Sequence, residues 1–130
     1  MKLAIFDIDG TLTQTNHVDS ICFVQALADE FGIDAIDTNW ANYPHTTDSG
    51  IMRHIFLERF ARLPSTQERA RFRRRFVNLL EAARAKAPES FHEVPGATAA
   101  LQRLRANADW VVAIATGGWR VSALFKLSQI

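Results

Sequence analysis

Asp7 and Asp9 stand two residues apart in the stretch FDIDGT, with Gly10 and Thr11 directly behind them. Two carboxyl groups at that spacing suit phosphoryl transfer. One carboxylate can attack phosphorus and carry the group as an acyl phosphate. The other can protonate the departing alcohol and then take a proton from water. The attack brings negative charges together, so it needs a hard cation such as magnesium, held on oxygen ligands, to offset the repulsion. Gly10 lets the backbone turn tightly, so that amide N–H groups can face the anion. Asp9-Gly10 is also a strong hairpin signal, and on that reading the two aspartates only shape a turn.

A second group of this kind is Thr116-Gly117-Gly118. The Thr116 hydroxyl can donate to a phosphate oxygen. Gly117 and Gly118 offer backbone N–H groups ahead of a helix, a good place for an anion. Taken alone, the same three residues make an ordinary strand-to-helix turn. Trp119, which follows them, has two readings: lining the site or packing under the sheet.

Both groups end short apolar runs, residues 3–6 and 110–115. Continuous rather than alternating apolarity predicts strands buried on both faces of a parallel sheet. Ligands of such sheets bind beyond the carboxyl ends of the strands. Neighbouring strands would therefore place Asp7 and Thr116 in one crevice.

The segment between the runs reads as helical. Phe23, Val24, Leu27, Ala28 and Phe31 recur at helix spacing, and Gly32 stops them. Met52, Ile55, Phe56, Phe60 and Leu63 make a second stripe closed by Pro64. Ser65-Thr66-Gln67-Glu68 is a capping box ahead of the stripe Phe72, Phe76, Leu79, Leu80 and Ala83. A fourth helix carries Ala97, Ala100, Leu101 and Leu104, and a fifth, after Trp119, carries Val121, Leu124 and Phe125. The expected fold class is α/β: a Rossmann-like parallel sheet core with an inserted helical cap. Residues 1–14 and 91–130 would form the core and residues 15–90 the cap.

The chain has 130 residues, 48% of them hydrophobic and 22% charged, which suits one folded domain and argues against disorder. A net charge of +1, from 15 basic and 14 acidic residues, calls for neither nucleic acid nor an anionic membrane as partner. The arginines at 69, 71, 73, 74 and 75 lie opposite the Phe72–Phe76 stripe and read as a solvated helix face. No apolar run reaches the roughly 20 residues of a membrane span, and the first ten residues carry acids where a signal peptide is apolar. A cytoplasmic setting is expected. The lone Cys22 can form no internal disulfide and reads as a core residue.

FDIDGTLT together with VAIATGG resembles the haloacid dehalogenase-like hydrolases, the first stretch being similar to motif I and ATGG to motif II. A helical insert directly after motif I is similar to the cap of the phosphoglycolate phosphatase and β-phosphoglucomutase branch. The resemblance implies that Asp7 is nucleophile and magnesium ligand. It makes Asp9 the general acid/base, with its backbone carbonyl also on the metal, and Thr116 the binder of the transferring phosphoryl group. A second acid at Asp9 favours phosphatase or phosphomutase over dehalogenase or P-type ATPase. The partner would be a small phosphorylated metabolite. Around Asn42–Asp48, cap residues of that branch read the substrate, so His45 and Arg53 become candidates, as do Asn16 and His17. For each of them a surface role, or for Thr47 and Asp48 an N-cap role, is the competing reading.

The family's motif III cation and motif IV acids are not matched. Lys126 is the only lysine after Thr116, and its place well along the last helix suggests that it falls short of the phosphate. No acid follows Asp109. Two parallel strands make a poor sheet, and the second is too apolar for a bare edge. These features predict an incomplete core in a truncated chain with little turnover. The alternatives are completion by partner subunits or a non-catalytic binding module.

Overall fold

The computed structural model describes residues 1–130. Two strands, β1 (Lys2–Phe6) and β2 (Trp110–Ile114), pair in parallel, with Leu3 opposite Val111 and Phe6 opposite Ile114. Between them in sequence lie α1 (Asn16–Phe31), α2 (Asp48–Phe60), α3 (Thr66–Lys86) and α4 (Ala97–Arg105). Helix α5 (Arg120–Leu127) follows β2. Single 3-10 turns at Trp40–Asn42 and Pro88–Phe91, which the periodicity does not signal, join the helices. The architecture is a helix-rich α/β fold with a parallel sheet, as expected.

The helix boundaries follow local chemistry. Gly32 adopts a left-handed conformation, φ 66°, and returns its N–H to Ala28, ending α1. Helix α1 starts at Asn16, seven residues before the apolar stripe, so Asn16 and His17 occupy its first turn. Thr47 caps α2 by accepting the Gly50 N–H at 3.0 Å. Ser65 and Glu68 form the reciprocal capping box that opens α3.

The core belongs to the helices rather than the sheet. Phe23 of α1 packs edge-on to Phe72 of α3 at 4.9 Å, and Phe56, Phe76, Leu80 and Phe91 are fully buried around them. The Trp119 ring joins this cluster, 5.3 Å from Phe72, so Trp119 packs into the core; its indole N–H donates to Ser49. Cys22 is buried here as expected, with its thiol pushed by burial up to about 11. On the outer side, Arg71 and Arg75 of α3 pair with Glu30 and Asp29 of α1.

Burial of both strand faces does not hold. Leu3, Ile5, Val111 and Ile114 are all exposed. Helix α4 packs on β2, but two strands present too little width for helices to cover both sides.

Helix α5 also departs from expectation. Val121 and Leu124, read as its core stripe, are exposed, while Ser122, Ala123 and Lys126 are buried. Phe125 of the expected stripe does pack on Phe91, and beside it Lys126 turns in to meet the carboxylates of Asp9 and Asp19.

Candidate active site

The parallel register brings the two polar strand ends level. Ala115 donates its N–H to the Phe6 carbonyl at 2.9 Å, one step past the last strand pair, and places Thr116 beside Asp7. Behind Asp7 the chain folds into a tight loop. The Ile8 carbonyl accepts N–H groups from Thr11, Leu12 and Thr13, and the buried side chains of Ile8 and Leu12 anchor the loop. Gly10 sits at φ 79°, a left-handed conformation that favours glycine, and a Cβ there would lie 2.3 Å from the Asn16 amide, which would have to shift. Its own N–H is spent on Thr13 at 2.7 Å, and it does not line the cavity, so its contribution is the turn, not an amide for an anion.

Asp7 is exposed at the cavity mouth, where Ile8 N–H donates to its Oδ1 at 2.8 Å. Asp9 is held more closely. Thr15 donates to Asp9 Oδ1; a hydroxyl has one proton, so Thr13 must donate in turn to Thr15, 2.6 Å away. Lys126 Nζ reaches the same oxygen at 2.7 Å. Both partners therefore hold Oδ1, and Oδ2 has none. The Asp9 backbone carbonyl also accepts no hydrogen bond from the protein.

Lys126, expected to fall short of the phosphate, reaches Asp9 instead and does not line the cavity. It lies about 10 Å along the axis from Trp119, but side chains on a helix lean toward its N-terminus, and α5 packs against α3. The Lys126 ammonium, 2% exposed, bridges Asp9 and Asp19 of α1. Burial opposes its charge, but the two aspartates outweigh burial and hold its pKa above the ordinary lysine value. Burial likewise raises the Asp19 carboxyl, with Lys126 opposing.

Thr116 Oγ1 accepts the Gly118 N–H at 3.1 Å, which leaves its own proton free to donate. The Gly117 N–H has no protein partner, and its carbonyl takes the Asp48 N–H at 2.9 Å. Asp48 Oδ2 accepts the Trp119 N–H at 3.3 Å, so the start of α2 is bonded to the Thr116–Gly118 turn. Asp48 is 9% exposed, and burial, reinforced by the charge of Asp19, pushes its carboxyl up to about 7.

These groups surround a cavity of about 380 Å³. Asp7, Asp9 and Thr116–Gly118 form its floor; Asn16, Asp19, Ser20 and Phe23 of α1, with Trp40, Thr46, Asp48 and Ile51, form its walls. Of the insert residues singled out, Asn16 and Asp48 line it, with Thr46 of the Asn42–Asp48 segment. His45, Arg53 and His17 are exposed and lie outside the lining.

A family model for haloacid dehalogenase-like hydrolases matches residues 1–129. The chain belongs to the haloacid dehalogenase-like hydrolases. Among curated proteins no relative matches it. Among solved structures, it is similar to the crystal structure of a predicted phosphoglycolate phosphatase from Haemophilus somnus 129pt, at 18% identity and a TM-score of 0.49. The match covers 98% of this chain and 56% of the other, so the chain spans about half of that protein's length. No helix is long and apolar enough to cross a membrane.

Sequence reasoning about this hydrolase missed Thr15, Asp19, Asp48 and Lys126. One signal was present for α1: Asn16, Asp19 and Ser20 extend the stripe of Phe23 and Leu27 toward the helix N-terminus at helical spacing, as polar residues. Asp48 carried no such signal, because an acid in the first turn of a helix is ordinary.

Proposed function

We propose that this haloacid dehalogenase-like hydrolase is a magnesium-dependent phosphatase of small phosphorylated metabolites, working through a phosphoryl group carried on Asp7. The observation that supports this reading is convergence. Asp7, Asp9 and Thr116 meet in one cavity, and Lys126 reaches Asp9 from behind.

The donor set suits magnesium. Asp7 offers a carboxylate and Asp9 an unpartnered backbone carbonyl, both hard oxygens. No three His, Cys, Asp or Glu side chains converge to cage an ion, so phosphate and water would fill its other positions, as is usual for this cation. Bound there, magnesium would supply positive charge against the phosphate oxygens.

In the first step the phosphate rests against the Thr116 hydroxyl and the Gly117 N–H. A carboxylate oxygen of Asp7 attacks phosphorus, and the bond from phosphorus to the alcohol oxygen breaks. Asp9, through its free Oδ2, gives that oxygen a proton, and the alcohol leaves. In the second step Asp9 takes a proton from water, the water oxygen attacks phosphorus, and the bond to Asp7 breaks. Inorganic phosphate leaves with both carboxyl groups restored. Lys126 keeps Asp9 in place and balances its charge. The insert, residues 15–90, acts as a cap that excludes bulk water during both steps. Its place directly after Asp9 supports the phosphoglycolate phosphatase and β-phosphoglucomutase branch.

The test is release of inorganic phosphate from a chromogenic phosphate ester by the full chain with magnesium. Release that Asp7→Asn abolishes supports the reading. A phosphoenzyme that persists until a sugar acceptor is added points to a phosphomutase instead.

A further inference from the structure

The cavity is asymmetric in charge, and this bears on which phosphate ester it takes; the inference rests on the phosphatase reading above. We propose that the wall formed by Asp48, Asp19, Phe23 and Trp40 selects monoesters whose alcohol carries an ammonium group, and disfavours those carrying a carboxylate.

The floor is made for an anion, with the Thr116 hydroxyl and the Gly117 N–H pointing to one end. The wall is different. Asp19 and Asp48 line it, and no Lys, Arg or His lines the cavity. Lys126, the one cation that reaches these groups, is already shared between Asp9 and Asp19. Asp48 has no ion-pair partner, and the pull of Lys126 on it is outweighed by burial and the charge of Asp19. Asp48 Oδ2 takes one backbone N–H from Trp119 and its Oδ1 has no partner. No fully buried side-chain oxygen of the chain lacks a partner, so this Oδ1 opens to the cavity although the residue is 9% exposed.

The rings beside it add to the preference. Trp40, half-buried, lines the cavity with Phe23 packed behind it, and aromatic faces attract ammonium groups. A buried carboxylate without a cation favours a ligand that supplies one, because the ion pair removes the burial cost that now holds a proton on Asp48 near neutrality. A carboxylate in the same place would meet two aspartates with no cation free. The insert's own candidates for reading an anion, His45 and Arg53, are turned to solvent.

Three esters of one two-carbon skeleton test this: phosphoethanolamine, 2-hydroxyethyl phosphate and phosphoglycolate, with cationic, neutral and anionic ends. With magnesium and the full chain, kcat/KM should fall in that order, by about tenfold per step, the worth of one charge-assisted hydrogen bond. Asp48→Asn keeps an acceptor for the Trp119 N–H and removes the charge, so the ratio between the first two esters should drop to near one. Equal rates for the three, or a preference for phosphoglycolate, would overturn the inference. Binding, read by the change in tryptophan fluorescence on adding each ester, separates the two claims. If no ester is hydrolysed, the phosphatase reading fails; the same order in Kd still supports the selective wall, and a flat or reversed order overturns it. If Asp48→Asn does not fold, the order for the three esters on the unaltered chain decides.

Discussion

Replacing Asp48 by asparagine should stabilise the chain, and by more at high pH than at low pH. The carboxyl is buried at the start of α2 and titrates near 7 when folded, against an ordinary value of 3.8. A carboxyl whose pKa rises on folding binds its proton more tightly in the folded state. Its contribution to stability is fully present below the unfolded pKa and is lost as pH rises toward and through the folded one. Each unit of difference is worth about 1.4 kcal/mol, so from about pH 5 to about pH 8 the unaltered chain should lose about 2.5 kcal/mol through this residue. Asparagine does not titrate and keeps an acceptor for the Trp119 N–H. The assay is urea denaturation of both proteins in metal-free buffer at several pH values, followed by the fluorescence of Trp119 in the core. The difference in unfolding free energy should grow by about 2.5 kcal/mol in favour of Asp48→Asn across that range. A difference that stays flat within about 0.5 kcal/mol, typical of an uncoupled surface change, would refute the burial argument.

Lys126→Met removes the cation from between Asp9 and Asp19. It should cost about 3–5 kcal/mol in denaturant unfolding, as for a broken buried ion pair, and reduce phosphate release at least about a hundredfold. Phe72→Ala, at the meeting of Phe23, Phe76 and Trp119, should cost about 3–5 kcal/mol by the same measurement. Chelation with EDTA should abolish phosphate release without unfolding the chain, as seen by circular dichroism, and added magnesium should restore it.

The parts of the fold legible in the sequence are those where local chemistry decides. Apolar runs ending in Asp-x-Asp-Gly and Thr-Gly-Gly located both strands and the crevice that Asp7 and Thr116 share. The capping box at Ser65 and Glu68 and the phenylalanine stripe behind it located α3. The parts that were not legible depend on which way a face turns. Helix α5 turns Lys126 inward because its partner is Asp19, and that partner is 107 residues away in sequence. Asp48 looked like one of many acids at a helix start; its burial against Trp119 comes only with docking of the Thr116–Gly118 turn. The Lys126 contacts with Asp9 and Asp19 were not legible from counting residues along the helix, because a long side chain leans back toward the helix N-terminus.

The most direct test of the account is to quench the full chain with acid during turnover of a phosphate ester with magnesium, and to map the phosphoryl adduct by mass spectrometry. The account predicts an adduct on the carboxylate of Asp7, and neither adduct nor phosphate release from Asp7→Asn. An adduct on another residue, or turnover that survives Asp7→Asn, would contradict it.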